Sequence, residues 1–256
     1  MFNRITAALV ASPIALSTAV GSALANGDDL TPIEELGGKI FFDELLSIRK
    51  NQACASCHVP EFGWTGADSE INAHGAVYEG SLNGEFGNRK PPSSAYATLS
   101  PIFYADYGNR LLGDNEQDLA SDPLFVGGNF WDGRATGWEL GNPAADQAQG
   151  PFLNPVEQAL PDRACVVYRV CEPPGQGQGQ GQGQAPVQGQ YADLFKQVWG
   201  AEICMINWPN NVNGVCNQTV GEVDLSPQDR HKVARAYDRV ALSLAAFARS
   251  TARHPL

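Results

Sequence analysis

The first strong helical pattern begins at Thr31. Thr31 is a suitable N-cap, Pro32 stands at the first helical position, and Glu34 completes a capping box. Apolar residues then recur at helical spacing, at Leu36, Ile40 and Leu45. The pattern predicts a helix that ends near Ser47.

The second strong helical pattern lies near the end of the chain. Ser226 is a suitable N-cap, Pro227 follows it, and Asp229 complements the positive end of the helix dipole. One apolar stripe runs along the predicted helix: Val233, Tyr237, Val240, Leu244 and Phe247.

Residues 60–160 show no sustained periodicity and are rich in Gly, Pro, Asn and Ser. Disorder does not fit this segment, because disordered chains are poor in aromatic residues. Here they are frequent: Trp64, Phe86, Tyr96, Phe103, Tyr104, Tyr107, Phe125, Phe130, Trp131, Trp138 and Phe152. We expect long functional loops with short helical turns.

Residues 175–184 are five Gly-Gln pairs. Such a segment has no side chain that can build a core. We expect a flexible surface loop without chemistry; a domain linker is the alternative.

The first 25 residues have the features of a secretory signal peptide. Arg4 provides a positive start, an apolar stretch follows, and residues 23–25 (Ala-Leu-Ala) resemble a cleavage site. A membrane anchor fits less well, because Pro13 interrupts the apolar run. We expect cleavage after Ala25 and no membrane span in the mature chain.

The chain is acidic, with a formal net charge of −11. Nucleic acid is an unsuitable partner, because phosphate binding needs clustered basic residues. A basic protein partner would suit this charge; an acidic surface that only keeps the protein soluble fits equally well.

The chain has six cysteines, of which two form a motif at residues 54–58. In an oxidising compartment the other four suggest two disulfides. Three pairings are possible, and proximity in sequence favours Cys165–Cys171 and Cys204–Cys216.

The motif at residues 54–58 is Cys-Ala-Ser-Cys-His. A zinc site would need a second ligand pair, and the sequence has no second C-x-x-C. A thioredoxin-like redox pair would need a βαβ surround. C-x-x-C-H in an exported protein is typical of haem c attachment: Cys54 and Cys57 would tether the haem and His58 would ligate the iron. Phe41 and Phe42 could pack against that haem.

These observations predict a mainly α protein. We expect a cytochrome c-like helical domain over residues 26–256, with long loops wrapped around one covalently attached haem. The export signal and the haem motif together favour a periplasmic location.

Five further stretches occur in a specific order. They are LGGKIFFDELLS (36–47), CASCHVPEFGW (54–64), FWDGRA (130–135), NPVEQ (154–158) and VALSLAAFARS (240–250). Together they resemble the N-terminal, peroxidatic-haem half of the bacterial di-haem cytochrome c peroxidase and MauG family.

The resemblance implies roles for several residues. His74 would be a removable second histidine ligand, Glu157 the acid–base group of the peroxide pocket, Phe130 a wall of that pocket, and Trp131 a bridge between two haems. The residues alone leave other readings open. His74 could be a solvated loop histidine, Glu157 a helix-start carboxylate, and the two aromatics core residues.

Other positions depart from the family pattern or extend it. The second C-x-x-C-H of the family does not occur, and Met205 is an alternative ligand to the haem. The segment RKPPS (89–93) replaces the family's calcium-linked segment, so calcium is not predicted. Arg134 should pair with Asp132 or with a haem propionate.

The sequence therefore indicates a periplasmic oxidoreductase that reduces hydrogen peroxide with electrons from a small cytochrome c or a cupredoxin. A second-haem subunit could complete it. The alternatives are a mono-haem electron-transfer cytochrome, one half of a split di-haem enzyme, and a degenerate half with a structural haem.

Overall fold

The computed structural model describes residues 30–106, 124–171 and 191–253, with side chains as far as Thr251. The predicted signal peptide and the Gly-Gln segment lie outside these ranges. Within them the protein is mainly α, as predicted.

The first helix, α1, spans Pro32–Phe41 and has the predicted capping box, in which the Glu34 carboxylate accepts from the Thr31 amide at 2.9 Å. The predicted end near Ser47 is wrong. The chain leaves the helix at Phe42, and Asp43 then caps a separate 3₁₀ turn, Glu44–Leu46, by accepting from the Leu45 amide at 2.9 Å. A side chain that bonds its local backbone competes with helix continuation in this way.

The last helix, α7, spans Pro227–Arg253 and starts at the predicted cap, where the Ser226 hydroxyl accepts from the Asp229 amide at 3.1 Å. Its predicted apolar stripe is buried. Helix α1 packs against α7. Gly37 allows their close approach, since a Cβ there would lie 2.0 Å from the Ser243 carbonyl oxygen.

The remaining described elements are short. They are the helices α2 (Ser69–Ala73), α3 (Pro143–Ala148), α4 (Arg163–Cys171), α5 (Ala192–Trp199) and α6 (Val212–Val215), and the strands β1 (Tyr104–Asp106) and β2 (Leu124–Val126). The two strands pair antiparallel, with Ala105 opposite Phe125. The expected long loops with short helical turns are confirmed over the described part of residues 60–160.

The preferred disulfide pairing is wrong. The bonds are Cys165–Cys216 and Cys171–Cys204, with Cα separations of 5.3 and 5.5 Å. Cys165 and Cys171 both lie on α4. Six residues of helix rise about 9 Å, which exceeds the usual Cα span of a disulfide. The bonds therefore tie α4 to the segments around Cys204 and Cys216.

Among the helices of the described ranges, none combines the length and apolarity needed to cross a bilayer.

Candidate haem-binding site

A cavity of about 970 Å³ lies between the C-x-x-C-H motif, the loops of residues 87–97 and 128–134, the turns of residues 147–158, and α7. This volume is at the upper end of the range of ~300–1,000 Å³ that is usual for ligand sites. The cavity brings together residues that are far apart in sequence: Cys54, Cys57, His58, Phe130, Trp131, Arg134 and Glu157. Phe41 also lines it, whereas Phe42 does not and is half-exposed.

The two motif cysteines are presented by a 3₁₀ turn, Cys54–Ser56. The Ser56 hydroxyl accepts from the Ala53 amide at 3.0 Å and stabilises the start of the turn. Both thiols are free. Burial, with a smaller contribution from the Glu157 charge, raises the pKa of Cys54 to about 12 and that of Cys57 to about 11.

These pKa values disfavour a redox pair, because a redox-active cysteine needs a lowered pKa. A zinc site is disfavoured by the geometry. Within the ranges that the structure describes, no group of three His, Cys, Asp or Glu residues is arranged to hold a metal ion. The thiols instead face the cavity as neutral groups, which suits covalent attachment of a large apolar ligand.

His58 is oriented for ligation. Its Nδ1 lies 3.2 Å from the Trp64 carbonyl oxygen. Because a carbonyl only accepts, Nδ1 donates there, and in the neutral ring Nε2 then carries the lone pair that could bind a metal. Burial lowers the pKa of His58 and favours the neutral ring, while backbone hydrogen bonds to Trp64 and Pro92 act in the opposite direction. The residues present therefore fit a haem c, and Cys54, Cys57 and His58 would hold it.

Glu157 lies in a tight turn and not at a helix start, so the helix-dipole reading is not supported. The side-chain amide of Asn154 donates to Glu157 Oε1 at 2.6 Å. Burial raises the pKa of the Glu157 carboxyl, and the Asn154 hydrogen bond and the Arg134 charge offset part of this rise. A carboxyl of this kind keeps its proton to a higher pH than an exposed carboxyl does.

A second loop anchors Glu157 through its backbone. The Ser81 amide donates to the Glu157 carbonyl oxygen at 2.7 Å. Gly80 permits this contact, since a Cβ there would lie 2.5 Å from the Val156 carbonyl oxygen.

The aromatic pair forms the rim of the cavity. Trp131 is 72% exposed, so its reading as a core residue is wrong. Arg89 lies over the Trp131 ring at 4.5 Å and Arg134 over the Phe130 ring at 3.9 Å. Arg134 also binds Asp132 at 2.8 Å, which confirms that predicted pair.

Two candidate ligands lie away from the cavity wall. His74 directly follows α2, is exposed, and has its Nδ1 2.9 Å from the Glu70 carbonyl oxygen. Met205 is 64% exposed. Neither lines the cavity, and the assignment of His74 as a sixth ligand stays a prediction.

Sequence reasoning missed two glutamines in the cavity wall. Gln52 and Gln158 are buried, and the side-chain oxygen of each lacks a hydrogen-bond partner. Buried polar atoms without partners are rare in native proteins, and both residues belong to the cavity wall. Gln158 ends the NPVEQ block, which was the only signal for it.

Comparison with known proteins agrees with this site. Residues 32–254 match the family model of di-haem cytochrome c peroxidases. The chain belongs to this family of haem oxidoreductases, which confirms the resemblance of its sequence blocks.

One relative and two solved structures extend the comparison. The chain is 37% identical over 139 residues to the methylamine utilization protein MauG of Paracoccus denitrificans (strain Pd 1222). This match covers 54% of this chain and 30% of MauG. The diheme peroxidase BthA of Burkholderia thailandensis E264 superposes with a TM-score of 0.54 at 21% identity, covering 86% of this chain and 39% of BthA. A variant of BthA gives a TM-score of 0.55. These structures share the fold, and this chain spans well under half the length of each relative.

Proposed function

We propose that this chain reduces hydrogen peroxide at a haem c bound in the cavity. The observation that carries the proposal is the meeting of the C-x-x-C-H motif and Glu157 in one cavity. Family membership supports the same class of chemistry. The proposed location is the periplasm, on the strength of the sequence signals alone.

Cys54, Cys57 and His58 would hold the haem, and the haem would supply redox-active iron for the reduction of peroxide. Glu157 would move the proton that peroxide cleavage requires from one peroxide oxygen to the other. Asn154 engages Oε1, which leaves Oε2 to carry that proton. Phe130 would exclude water from the same pocket, and His74 would be a removable ligand to the haem.

Reduction of peroxide needs two electrons. We propose that they come from a small cytochrome c or a cupredoxin, through a second haem in another domain or subunit. Trp131 is the expected point of entry, because it lies at the cavity rim and is largely exposed.

The single C-x-x-C-H of the sequence favours a second candidate, a mono-haem electron-transfer cytochrome. In that protein His58 and His74 would both stay on the iron. The buried Glu157 would then have no role in catalysis.

Stopped-flow recording of the Soret band after mixing holoprotein with hydrogen peroxide separates the two functions. A peroxidase gives a rapid spectral change that is reversed as a reduced donor is consumed. Glu157→Gln should slow the change by about 100-fold or more. Glu61→Gln is the matched control, because Glu61 is exposed and outside the cavity wall. An unchanged spectrum would contradict the peroxidase and favour the electron-transfer protein.

A further inference from the structure

A buried tyrosine and a buried carboxylate form a hydrogen bond within the core. The Tyr191 hydroxyl donates to Asp43 Oδ2 at 2.5 Å. Tyr191 is 0% exposed and Asp43 6% exposed. The other Asp43 oxygen accepts from the Leu45 amide at 2.9 Å. Apolar residues of this size would fill the same space without a desolvation cost, so the pair calls for an explanation beyond packing.

The pair lies beside the predicted haem tether. Cys54 lines the cavity and also packs against the core cluster that contains Tyr191. Phe41 lines the cavity, and Asp43 follows it by only two residues in the chain. Neither Tyr191 nor Asp43 lines the cavity, so peroxide in the cavity does not contact them.

Asp43 is suited to accept the phenolic proton. Burial raises the pKa of its carboxyl, while the nearby Arg169 guanidinium and the Tyr191 hydrogen bond act in the opposite direction. Arg169 is itself buried and donates to the Leu45, Ser47 and Cys216 carbonyl oxygens at 2.6–2.7 Å. Its charge stays in place when Asp43 changes protonation, because a guanidinium keeps its proton.

We propose that Tyr191 is a redox-active residue that donates one electron to the oxidised haem while Asp43 takes its proton. This proposal rests on the proposed function. Tyr191 loses one electron and breaks its O–H bond, and Asp43 Oδ2 forms a new O–H bond. A donor later returns the electron to Tyr191, and the proton goes back from Asp43. Peroxide reduction needs two electrons and two protons, and Tyr191 would supply one of those electrons.

The chain offers a matched control in Tyr237. This tyrosine is also buried, at 2% exposure. Its hydroxyl donates to the Gln149 carbonyl oxygen, which cannot take up a proton as a carboxylate can. Tyr237 should therefore stay reduced where Tyr191 is oxidised.

The test is freeze-quench electron paramagnetic resonance of holoprotein mixed with one equivalent of hydrogen peroxide. We expect an organic radical signal that changes shape when the tyrosines are ring-deuterated. Tyr191→Phe should abolish it and Tyr237→Phe should leave it intact. Asp43→Asn should also abolish it, since an amide oxygen keeps the cap on Leu45 but does not accept the proton. Circular dichroism and the resting Soret band check that each variant is folded and holds haem.

The outcomes are distinguishable from those for the proposed function. A Soret change with a radical lost in Tyr191→Phe and kept in Tyr237→Phe supports the proposal. A Soret change with no radical, or with a radical that persists in Tyr191→Phe, contradicts the proposed role of Tyr191. Such a result is still consistent with the proposed peroxidase function. Tyr78, Tyr96 and Trp131, which line the cavity, are the other sites where such a radical would form. No Soret change overturns both.

Discussion

Two sides of this protein bury their apolar residues in different ways. The helical side consists of α1, α4, α5 and α7, and it contains most of the fully buried side chains, such as Val166, Phe195 and Val233. The loop side consists of residues 54–106 and 124–158. It leaves large apolar side chains exposed, among them Tyr96, Leu99, Phe125, Trp131 and Trp138.

The difference lies in what each side packs against. The helical side forms most of one continuous apolar cluster, and two disulfides tie its helix α4 to the segments around Cys204 and Cys216. The loop side bounds a cavity of about 970 Å³, and close-packed proteins rarely keep so large a space in their interior. We therefore expect the stability of the loop side to depend more on a group that fills this cavity than the stability of the helical side does.

The largest expected effect comes from removing the proposed haem. In Cys54→Ala/Cys57→Ala this haem would lose its covalent tether. We expect amide exchange on the loop side to approach the rates of an unprotected chain, while α4 and α7 stay protected. Hydrogen exchange read by mass spectrometry measures both sides in one sample. Unchanged protection of residues 58–106 in protein shown to lack haem would contradict the expected dependence of the loop side on a bound group.

The reciprocal change acts on the helical side. Cys165→Ala/Cys216→Ala opens a link between residues that are 51 apart in sequence. The Cys171–Cys204 bond remains and shortens the closed loop to about 20 residues, so chain entropy predicts a loss of about 3 kcal/mol in unfolding free energy. Urea denaturation of oxidised protein measures it. Haem content should stay the same as in the parent protein, and a selective loss of haem would show that the two sides are not separable.

The sequence predicted the parts of this fold that depend on short-range chemistry. The caps at Thr31 and Ser226 and the apolar stripe of α7 each involve residues within a few positions of one another. Helix α4 was not predicted. Seven of its nine residues are buried, so its sequence does not show one apolar face opposite a polar one. Without that helix, the disulfide pairing had no geometric constraint and proximity in sequence gave the wrong answer.

The site divides in the same way. The roles of Cys54, Cys57 and His58 follow from one contiguous motif. Glu157 became a candidate only through the family resemblance, because its place beside the motif depends on the turns that close the cavity. Gln52, Gln158 and the Asp43–Tyr191 pair had no sequence signal of their own, since each contact joins distant segments.

Two glycines allow the comparison to be tested at a smaller scale. In Gly37→Ala the new Cβ would lie 2.0 Å from the Ser243 carbonyl oxygen, in the packed contact between α1 and α7. Overpacking of this kind costs about 1–3 kcal/mol. We expect that loss in unfolding free energy, measured by urea denaturation, with little change in the rate of peroxide consumption.

In Gly80→Ala the clash is with the Val156 carbonyl oxygen, on the loop side. The loops can shift, so the loss of unfolding free energy should be smaller than for Gly37→Ala. The shift would displace Glu157, so the rate of peroxide consumption should fall. If both alanine variants lose the same unfolding free energy and the same rate of peroxide consumption, the proposed difference between the helical side and the loop side is contradicted.

The smallest expected effect concerns the protonation of Glu157 alone. Burial raises the folded-state pKa of this carboxyl. The contribution of Glu157 to the free energy of unfolding is therefore complete below the pKa of the unfolded state, and it is lost as pH rises through the pKa of the folded state.

Asn154→Ala removes a hydrogen bond that lowers the pKa of Glu157. The pH at which peroxide consumption reaches half its plateau should therefore move upward, because Glu157 must be ionised to accept the peroxide proton. Asn142→Ala is the matched control: Asn142 only caps α3, so this variant should cost about 1 kcal/mol of stability and leave the pH profile in place. A profile that shifts equally in both variants would show that Asn154 acts on the fold of the turn and not on the Glu157 carboxyl.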